Sequence, residues 1–398
     1  MKAYSTGEDS VVILAGARTA MGSFQGCFSP LSANQLGAAA ITGAVQRARL
    51  TVTDIDEVLM GCVLTAGLKQ GPARQAALQA GLPVSTGCTT INKLCGSGMK
   101  ALMLAHDSLA LGNTEVVVAG GMESMTNAPY LLPKMRQGAR IGHDQVLDHL
   151  FLDGLEDAET GQLMGSFAEQ VANQYGITRQ QMDDFAIGSL TKAREAMAAG
   201  HLSEEITEVK VEAGKQHYRV TTDEQPAKAD LNKIKSLAPA FKPGGTITAA
   251  SSSSISDGAC ALVLATESLA KTRQWPIQAR LVAHASHALA PGEFTLAPSF
   301  AIEKVLKKAD WYKDQVDLFE INEAFAMVTL LAMKELTLDP ARVNIYGGAC
   351  ALGHPIGATG ARIVLTLLTA LRQQGKKRGV AALCIGGGEA TAIAVELV

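Results

Sequence analysis

A chain of 398 residues is long enough for two or three units around a shared core, which makes a multi-domain enzyme the first expectation. Hydrophobic residues make up 47% and charged residues 18%, with no apolar run long and pure enough to cross a bilayer, so no membrane partner is expected. A net charge of -3 with both signs mixed offers no footing for nucleic acid or an acidic membrane surface, so an anionic ligand has to be held by local groups.

The chain opens MKAYSTGEDSVVILAGARTAMG, with a lone Lys2 and acidic Glu8 and Asp9 before a short apolar stretch. That does not fit a signal peptide, and a cytoplasmic location is expected. The β-branched runs Val11-Val12-Ile13-Leu14, Val116-Val117-Val118 and Leu281-Val282-Ala283 alternate with longer Ala/Leu-rich stretches of helical period. This is α/β layering, with helices covering the faces of a sheet.

The two ends of the chain resemble each other. Asp56 to Met60 resembles Val316 to Glu320, Gly98-Met99-Lys100-Ala101 resembles Gly360-Ala361-Arg362-Ile363, and Val117 to Gly121 resembles Leu383 to Gly387. The spacings stay near about 260 to 266 residues, as two copies of one α/β unit require. Between them, roughly 125–254, the chain turns charged and broken by Gly and Pro, and ends in Ser251-Ser252-Ser253-Ser254. We read 1–124 with 255–276 as a first half, 125–254 as an insertion and 277–398 as a second half. The serines sit between Thr246-Ile247-Thr248 and apolar Ala259 to Leu264, so they predict a hydroxyl-lined turn rather than a loose linker.

Seven cysteines without a CxxC pair indicate neither a disulfide framework nor a metal site. Cys95, in Asn92-Lys93-Leu94-Cys95-Gly96-Ser97-Gly98, falls between a strand-like stretch and a helix expected from Met99 to Leu111. Glycines there let a substrate approach the backbone, and a helix N-terminus favours a thiolate, so Cys95 suits a nucleophile; a small core residue at a turn is the alternative. His354 is the histidine set among glycines and fixed by Pro355, which suits a general base, whereas His106, His149, His201 and His217 read as surface decoration. Cys384 precedes Gly386-Gly387-Gly388 at a strand end. Asn322 and Glu323 close another strand, where they either cap the next helix or face a ligand. Ligands bind at strand ends on one edge of an α/β sheet, so Asn322, His354 and Cys384 can converge.

INKLCGSGMKA, GGMESM at 120–125, SDGACALV at 256–263, NEAFA at 322–326, GGACALGHPIGATGAR at 347–362 and CIGGG at 384–388 together resemble the thiolase family in order, spacing and residue type. The resemblance implies duplicated α/β halves in a five-layered αβαβα core with an inserted loop domain that holds coenzyme A. It implies reversible condensation of two acetyl-CoA to acetoacetyl-CoA and CoA, with coenzyme A thioesters as substrates and no permanently bound cofactor. Cys95 then resembles the acylated nucleophile, His354 its base, and Cys384 the acid/base for the α-proton. Asn322 resembles the residue that holds a water in one oxyanion hole, and the N–H groups of Cys95 and Gly386 resemble the other. Ser253, Leu163, Met164, Phe241, Phe294 and Phe325 correspond to residues around the acyl group and the pantetheine arm.

The chain departs from many short-chain members, which have His-Met-Gly at Leu163-Met164-Gly165 and Asn or Ala among Ser251 and Ser252. Pro226 occupies a position that is often cationic, with Lys228 and Lys233 nearby as substitutes, so acyl-chain preference and nucleotide contacts do not follow from the resemblance. Met125 to Arg140 resembles the loop that joins dimers into tetramers, which implies a homodimer or homotetramer. A longer-chain 3-ketoacyl-CoA thiolase would use the same residues. Decarboxylating relatives normally replace Cys384 by histidine, and a non-catalytic scaffold would leave both cysteines dispensable.

Overall fold

The computed structural model describes residues 9–398; Lys2 and Glu8, used above to argue location, lie outside the described residues. Nine strands form the main sheet: β1 Val11–Arg18, β2 Glu57–Gly61, β3 Gly87–Ile91, β4 Val116–Ser124, β5 Ser256–Thr266, β6 Ala279–Ala288, β7 Leu318–Ile321, β8 Arg378–Ile385 and β9 Glu389–Leu397, with Gly22–Ser23 as a short tenth against β5. The principal helices are α1 Ala33–Ala48, α2 Pro72–Gln79, α3 Ser97–Ala110, α4 Met164–Gln174, α5 Arg179–Ala198, α6 Ala297–Ala309, α7 Ala326–Leu336 and α8 Thr359–Gln373. Among the described residues no helix is long and apolar enough to cross a membrane.

The strand order is β7-β8-β9-β6-β1-β5-β4-β2-β3. Split between β6 and β1, it is two sheets of one design. Outward from the split the first half runs β1-β5-β4-β2-β3 and the second β6-β9-β8-β7, with Val343 bridging Phe319 in the place of β3. Among the described residues the two half-sheets pair through Val12 with Arg280 and Ile13 with Ala279. The three sequence matches fall on β2 and β7, on α3 and α8, and on β4 and β8. The last slips along its strand: β2 pairs Val58 with Val118 and β7 pairs Leu318 with Gly379, so Gly379 is the counterpart of Val118. Alternating Val and Ala residues permit that slip in a sequence comparison but not in the sheet, where a one-residue shift turns each side chain to the other face.

Strand periodicity sets the layers. In β1, Val11 and Ile13 join the central core while Val12 and Leu14 face the opposite side against α1 and α2. In β8, Ala381 and Leu383 face the central core while Val380 and Ala382 face the layer containing α6. The buried α3 and α8 lie side by side between the two half-sheets, which gives helix, sheet, helix, sheet, helix.

The pair α3 and α8 comes unusually close. A Cβ on Gly98 would stand 2.9 Å from the Gly357 carbonyl oxygen and 3.0 Å from the Ala361 nitrogen, and one on Gly360 only 2.4 Å from the Met99 nitrogen. Glycine at both positions lets backbone meet backbone. The insertion is pinned to the first half by Arg18, fully buried, which holds Glu205 at 2.6 Å and both oxygens of Asp223 at 2.7 and 2.9 Å.

Candidate active site

Cys95 stands in the turn from β3 into α3. Leu94 takes a left-handed backbone conformation (φ 46°), costly for a branched side chain, and local bonds hold it there. The Asn92 side-chain oxygen accepts from the Leu94 N–H at 3.0 Å, and the Ser97 hydroxyl accepts from the Lys93 N–H at 2.8 Å while donating to the Leu94 carbonyl at 2.6 Å. Lys93 pairs with Glu389 at the start of β9, tying the Cys95 turn to the Gly386-Gly387-Gly388 turn. The backbone N–H groups of Gly386 and of Cys95 itself favour the ionised sulfur. Burial nonetheless outweighs both donors and pushes the thiol up to about 11. A thiol raised in this way calls for a base to take its proton as it attacks.

His354 follows Gly353, which has a φ of 110° and no room for a side chain, since a Cβ there would stand 2.3 Å from the Ser256 hydroxyl. The His354 N–H donates to the Ser254 carbonyl and to the Ser256 hydroxyl, both at 3.2 Å. Nδ1 lies 2.7 Å from the Thr359 hydroxyl, which donates its own hydrogen to the Pro355 carbonyl at 3.0 Å. A hydroxyl has one hydrogen, and with that hydrogen on the Pro355 carbonyl Nδ1 is the donor and Nε2 carries the lone pair. Nε2 is buried without a protein partner, and burial first, then Arg362, lowers the imidazole to about 3.

Asn322 follows β7 directly, and its N–H donates to the Ala382 carbonyl of β8 at 2.9 Å, two residues before Cys384. Both atoms of its amide are buried without partners. It does not cap the next helix, whose N-cap is Phe325. Glu323, the other cap candidate, is buried and accepts from the Ser189 hydroxyl at 2.7 Å, the Asn344 amide at 2.8 Å and the Cys350 N–H at 3.1 Å. Cys384 is buried near the end of β8, and burial, with the nearby Cys95 thiol, pushes its pKa well up.

Cys384 shares one apolar cluster with Met164, Phe241, Phe294 and Phe325. The Phe241 ring covers Gly165, where a Cβ would approach it to 2.3 Å, and stands edge-on to Phe325 at 5.7 Å, which stands edge-on to Phe294 at 6.3 Å. Met164 reaches to 3.9 Å from a Cβ position on Gly386. Leu163, at the N-cap of α4, falls outside that cluster. The serine segment is a fastened turn: the Ser253 N–H donates to the Ala324 carbonyl at 2.9 Å, and the Ser252 hydroxyl to the Thr248 carbonyl at 2.8 Å. Behind it a cavity of about 310 Å³ is lined by Lys228, Lys233, Ala249, Ser254 and Cys350, although the two lysines already have acidic neighbours in Glu224 and Asp230.

Two family domains match the chain: the one described as "Thiolase, N-terminal domain" covers residues 11–268, and "Thiolase, C-terminal domain" covers 275–397. The chain belongs to the thiolase family. It is 48% identical over 390 residues to the acetyl-CoA acetyltransferase of Schizosaccharomyces pombe, covering 98% of this chain and 99% of that one. It is 45% identical over 385 residues to that of Pseudomonas aeruginosa, covering 96% and 98%. Among solved structures, the Bacillus anthracis acetyl-CoA acetyltransferase superposes with a TM-score of 0.96 at 37% identity, covering 99% of this chain and all of that one. The Acat5 thiolase from Ascaris suum in complex with coenzyme A gives 0.92 at 41%, covering 98% and 100%.

Two contributors to this thiolase pocket, Glu123 in GGMESM and Thr359 in GHPIGATGAR, lie within the motifs, yet their roles do not show there. Thr359 fixes the His354 tautomer. Glu123, fully buried in β4, accepts from the N–H groups of Val63 at 3.0 Å, Leu64 at 3.1 Å and Gly357 at 2.9 Å, which clamps the His354 loop to the segment after β2. Its place in GGMESM and its charge in the largely apolar strand Val116–Ser124 mark it in the sequence, but neither names its partners. In the other direction, His149 is not surface decoration but buried, with Nδ1 2.6 Å from Asp153, and His106 and His201 are half-buried.

Proposed function

We propose that this thiolase is an acetyl-CoA C-acetyltransferase, which condenses two acetyl-CoA to acetoacetyl-CoA and CoA and runs the reverse thiolysis through an S-acetyl group on Cys95. The observation that carries the reading is the Cys95 thiol beside the buried Cys384, together with a buried His354 whose Nε2 has no protein partner. Relatives of that name at 45% to 48% identity over nearly their whole length support it.

Cys95 attacks the thioester carbonyl as His354 Nε2 takes its proton, and the N–H groups of Cys95 and Gly386 receive the developing oxyanion. His354 then returns the proton to the departing CoA sulfur. The Cys384 thiol then gives its proton to His354 Nε2, and the resulting thiolate takes a methyl proton from a second acetyl-CoA. High proton affinity, which burial gives Cys384, is what a base for a weakly acidic carbon needs. The unpartnered Asn322 amide, through a water, and His354 stabilise the enolate oxygen. Carbon attacks the S-acetyl group, and Cys95 leaves as a thiolate and takes the proton held on His354, so Cys95, Cys384 and His354 end as they began.

The apolar cluster of Met164, Phe241, Phe294 and Phe325 lies along the acyl group and pantetheine arm, with Ser253 on the turn beside it and Leu163 at its edge. We also read the chain as cytoplasmic and as a homodimer or homotetramer. In the segment 130–146, Tyr130, Met135, Ile141 and Val146 are all exposed, which supports a contact with another copy. Light scattering that found only monomer at micromolar concentration would remove the oligomer from this reading.

The test of the mechanism separates the cysteines. Cys384→Ala should still acquire an acetyl label from acetyl-CoA while condensation falls by orders of magnitude, and Cys95→Ala should acquire none. Condensation at the parent rate in Cys384→Ala would refute the division of roles.

A further inference from the structure

Helix α3 carries a second group of reactive side chains at its other end. His106 lies eleven residues beyond Cys95, roughly 16 Å along the helix axis, so it is separate from the pocket above. His106 and Asp107 meet His284 of β6. Asp107 Oδ1 lies 2.8 Å from His284 Nε2 and 3.3 Å from His106 Nδ1, and the three donor atoms all fall within 4.8 Å of one another. The imidazoles stand edge to face with centroids 5.0 Å apart, and all three residues are half-buried.

We propose that His106, Asp107 and His284 form a binding site for one zinc-type divalent cation. Two imidazoles and one carboxylate are a common donor set for such ions, and three protein ligands leave the fourth position to water. A tetrahedral ion with bonds of about 2.0–2.2 Å sets neighbouring donors roughly 3.3–3.5 Å apart. The His106–Asp107 separation already fits. The His284–Asp107 separation has to open by about half an ångström, within the reach of a small side-chain rotation. Mg²⁺ and Ca²⁺ are disfavoured, because the cluster offers one carboxylate and no further oxygen ligand.

The opposing charge is Lys308 of α6, whose Nζ donates to the His284 carbonyl at 3.0 Å and so stands on the backbone side of that residue. The bound ion would fasten α3, the helix that begins beside Cys95, to the second half-sheet, near the seam where Val12 pairs with Arg280 and Ile13 with Ala279. It would act there as a structural clamp, with no part in the acyl transfer chemistry.

The test is titration of the full-length protein with Co²⁺ after its accessible thiols are blocked with iodoacetamide, so that Cys95 cannot supply a ligand; a thiolate charge-transfer band would reveal one from the buried Cys384. Equilibrium dialysis should give one Co²⁺ per chain, with visible ligand-field bands, no thiolate charge-transfer band, and full displacement by Zn²⁺. Affinity should fall at least about tenfold in Asp107→Asn and further in His284→Ala. If His284→Ala fails to fold, His106→Gln on the half-exposed helix surface decides the matter in the same way. The site is overturned by absence of stoichiometric binding up to about 100 µM Co²⁺, or by binding that survives the His106 and Asp107 substitutions unchanged.

Discussion

Replacing Gly360 and Gly188 by alanine tests the close approach of α3 and α8 with one chemical change at two sites. Both glycines lie inside helices, and each substitution should gain about 1 kcal/mol from helix propensity and a stiffer unfolded chain. At Gly188 nothing lies within 4 Å of the new methyl, so the gain stands. At Gly360 the methyl would lie 2.4 Å from the Met99 nitrogen, 2.7 Å from its Cβ and 3.0 Å from its Cα. Backbone cannot rotate away, so the helices must part by roughly 1 Å, and overpacking of that kind costs about 1–3 kcal/mol, here at the upper end. The net loss is about 2 kcal/mol. With an unfolding entropy of about 2.1 cal/mol/K per residue, 1 kcal/mol moves the Tm of a chain this long by only about 1 °C. Gly188→Ala should therefore melt about 1 °C higher and Gly360→Ala about 2–3 °C lower. Activity should move much further. Met99 is four residues after Cys95 and Gly360 six after His354, so the same separation pulls nucleophile from base, and an ångström of misplacement costs about a hundredfold in rate. Calorimetry gives the Tm, and mass spectrometry of the time course of Cys95 acetylation gives the rate. If Gly360→Ala melted higher, as Gly188→Ala should, and acetylated at the parent rate, the two helices would not need glycine where they meet.

The acetylation rate should also stay flat as pH falls from 7 to 5. His354 is lowered to about 3, so its Nε2 remains free to take a proton throughout that range, and Cys95, raised to about 11, remains a thiol. An imidazole with an ordinary pKa would lose about tenfold in rate for each pH unit below about 6.5, and a fall of that size would contradict the environment described for His354. Arg18→Met should destabilise by about 3–5 kcal/mol, because Glu205 and Asp223 are left as uncompensated buried carboxylates. Since both acids belong to the insertion, limited proteolysis should find it cut sooner than in the parent; unchanged protection would show that Arg18 does not pin it.

What is legible in the sequence is whatever depends on local backbone. Cys95 and His354 announce themselves because a turn that must be tight, open or left-handed selects glycine around it, and Cys384 and Asn322 because strand ends in this architecture share an edge. Roles set by distant partners are not legible. Nothing near Glu123 in sequence says that it accepts from Val63, Leu64 and Gly357, and nothing near Thr359 says that its hydroxyl already has a recipient in the Pro355 carbonyl. His149 departs from expectation for the same reason, since a polar neighbourhood in sequence becomes a buried one in space. The helix N-terminus at Cys95 can be read from the sequence, while the burial that raises its thiol depends on residues far along the chain.

The position of β1 has a consequence for synthesis. It is the first strand to leave the ribosome, yet it is central in the sheet: its neighbours are β5, beginning at residue 256, and β6, beginning at 279. At about 5–20 residues per second, roughly 12–50 s pass before the first of them exists. Helix α1 follows within a few turns of chain and can shield Val12 and Leu14, but Val11 and Ile13 wait for residues of the central core that are still unmade. A nascent chain that stalls inside the insertion carries an uncharged VVILAGA segment with both hydrogen-bonding edges open, the state in which strands join to those of other molecules.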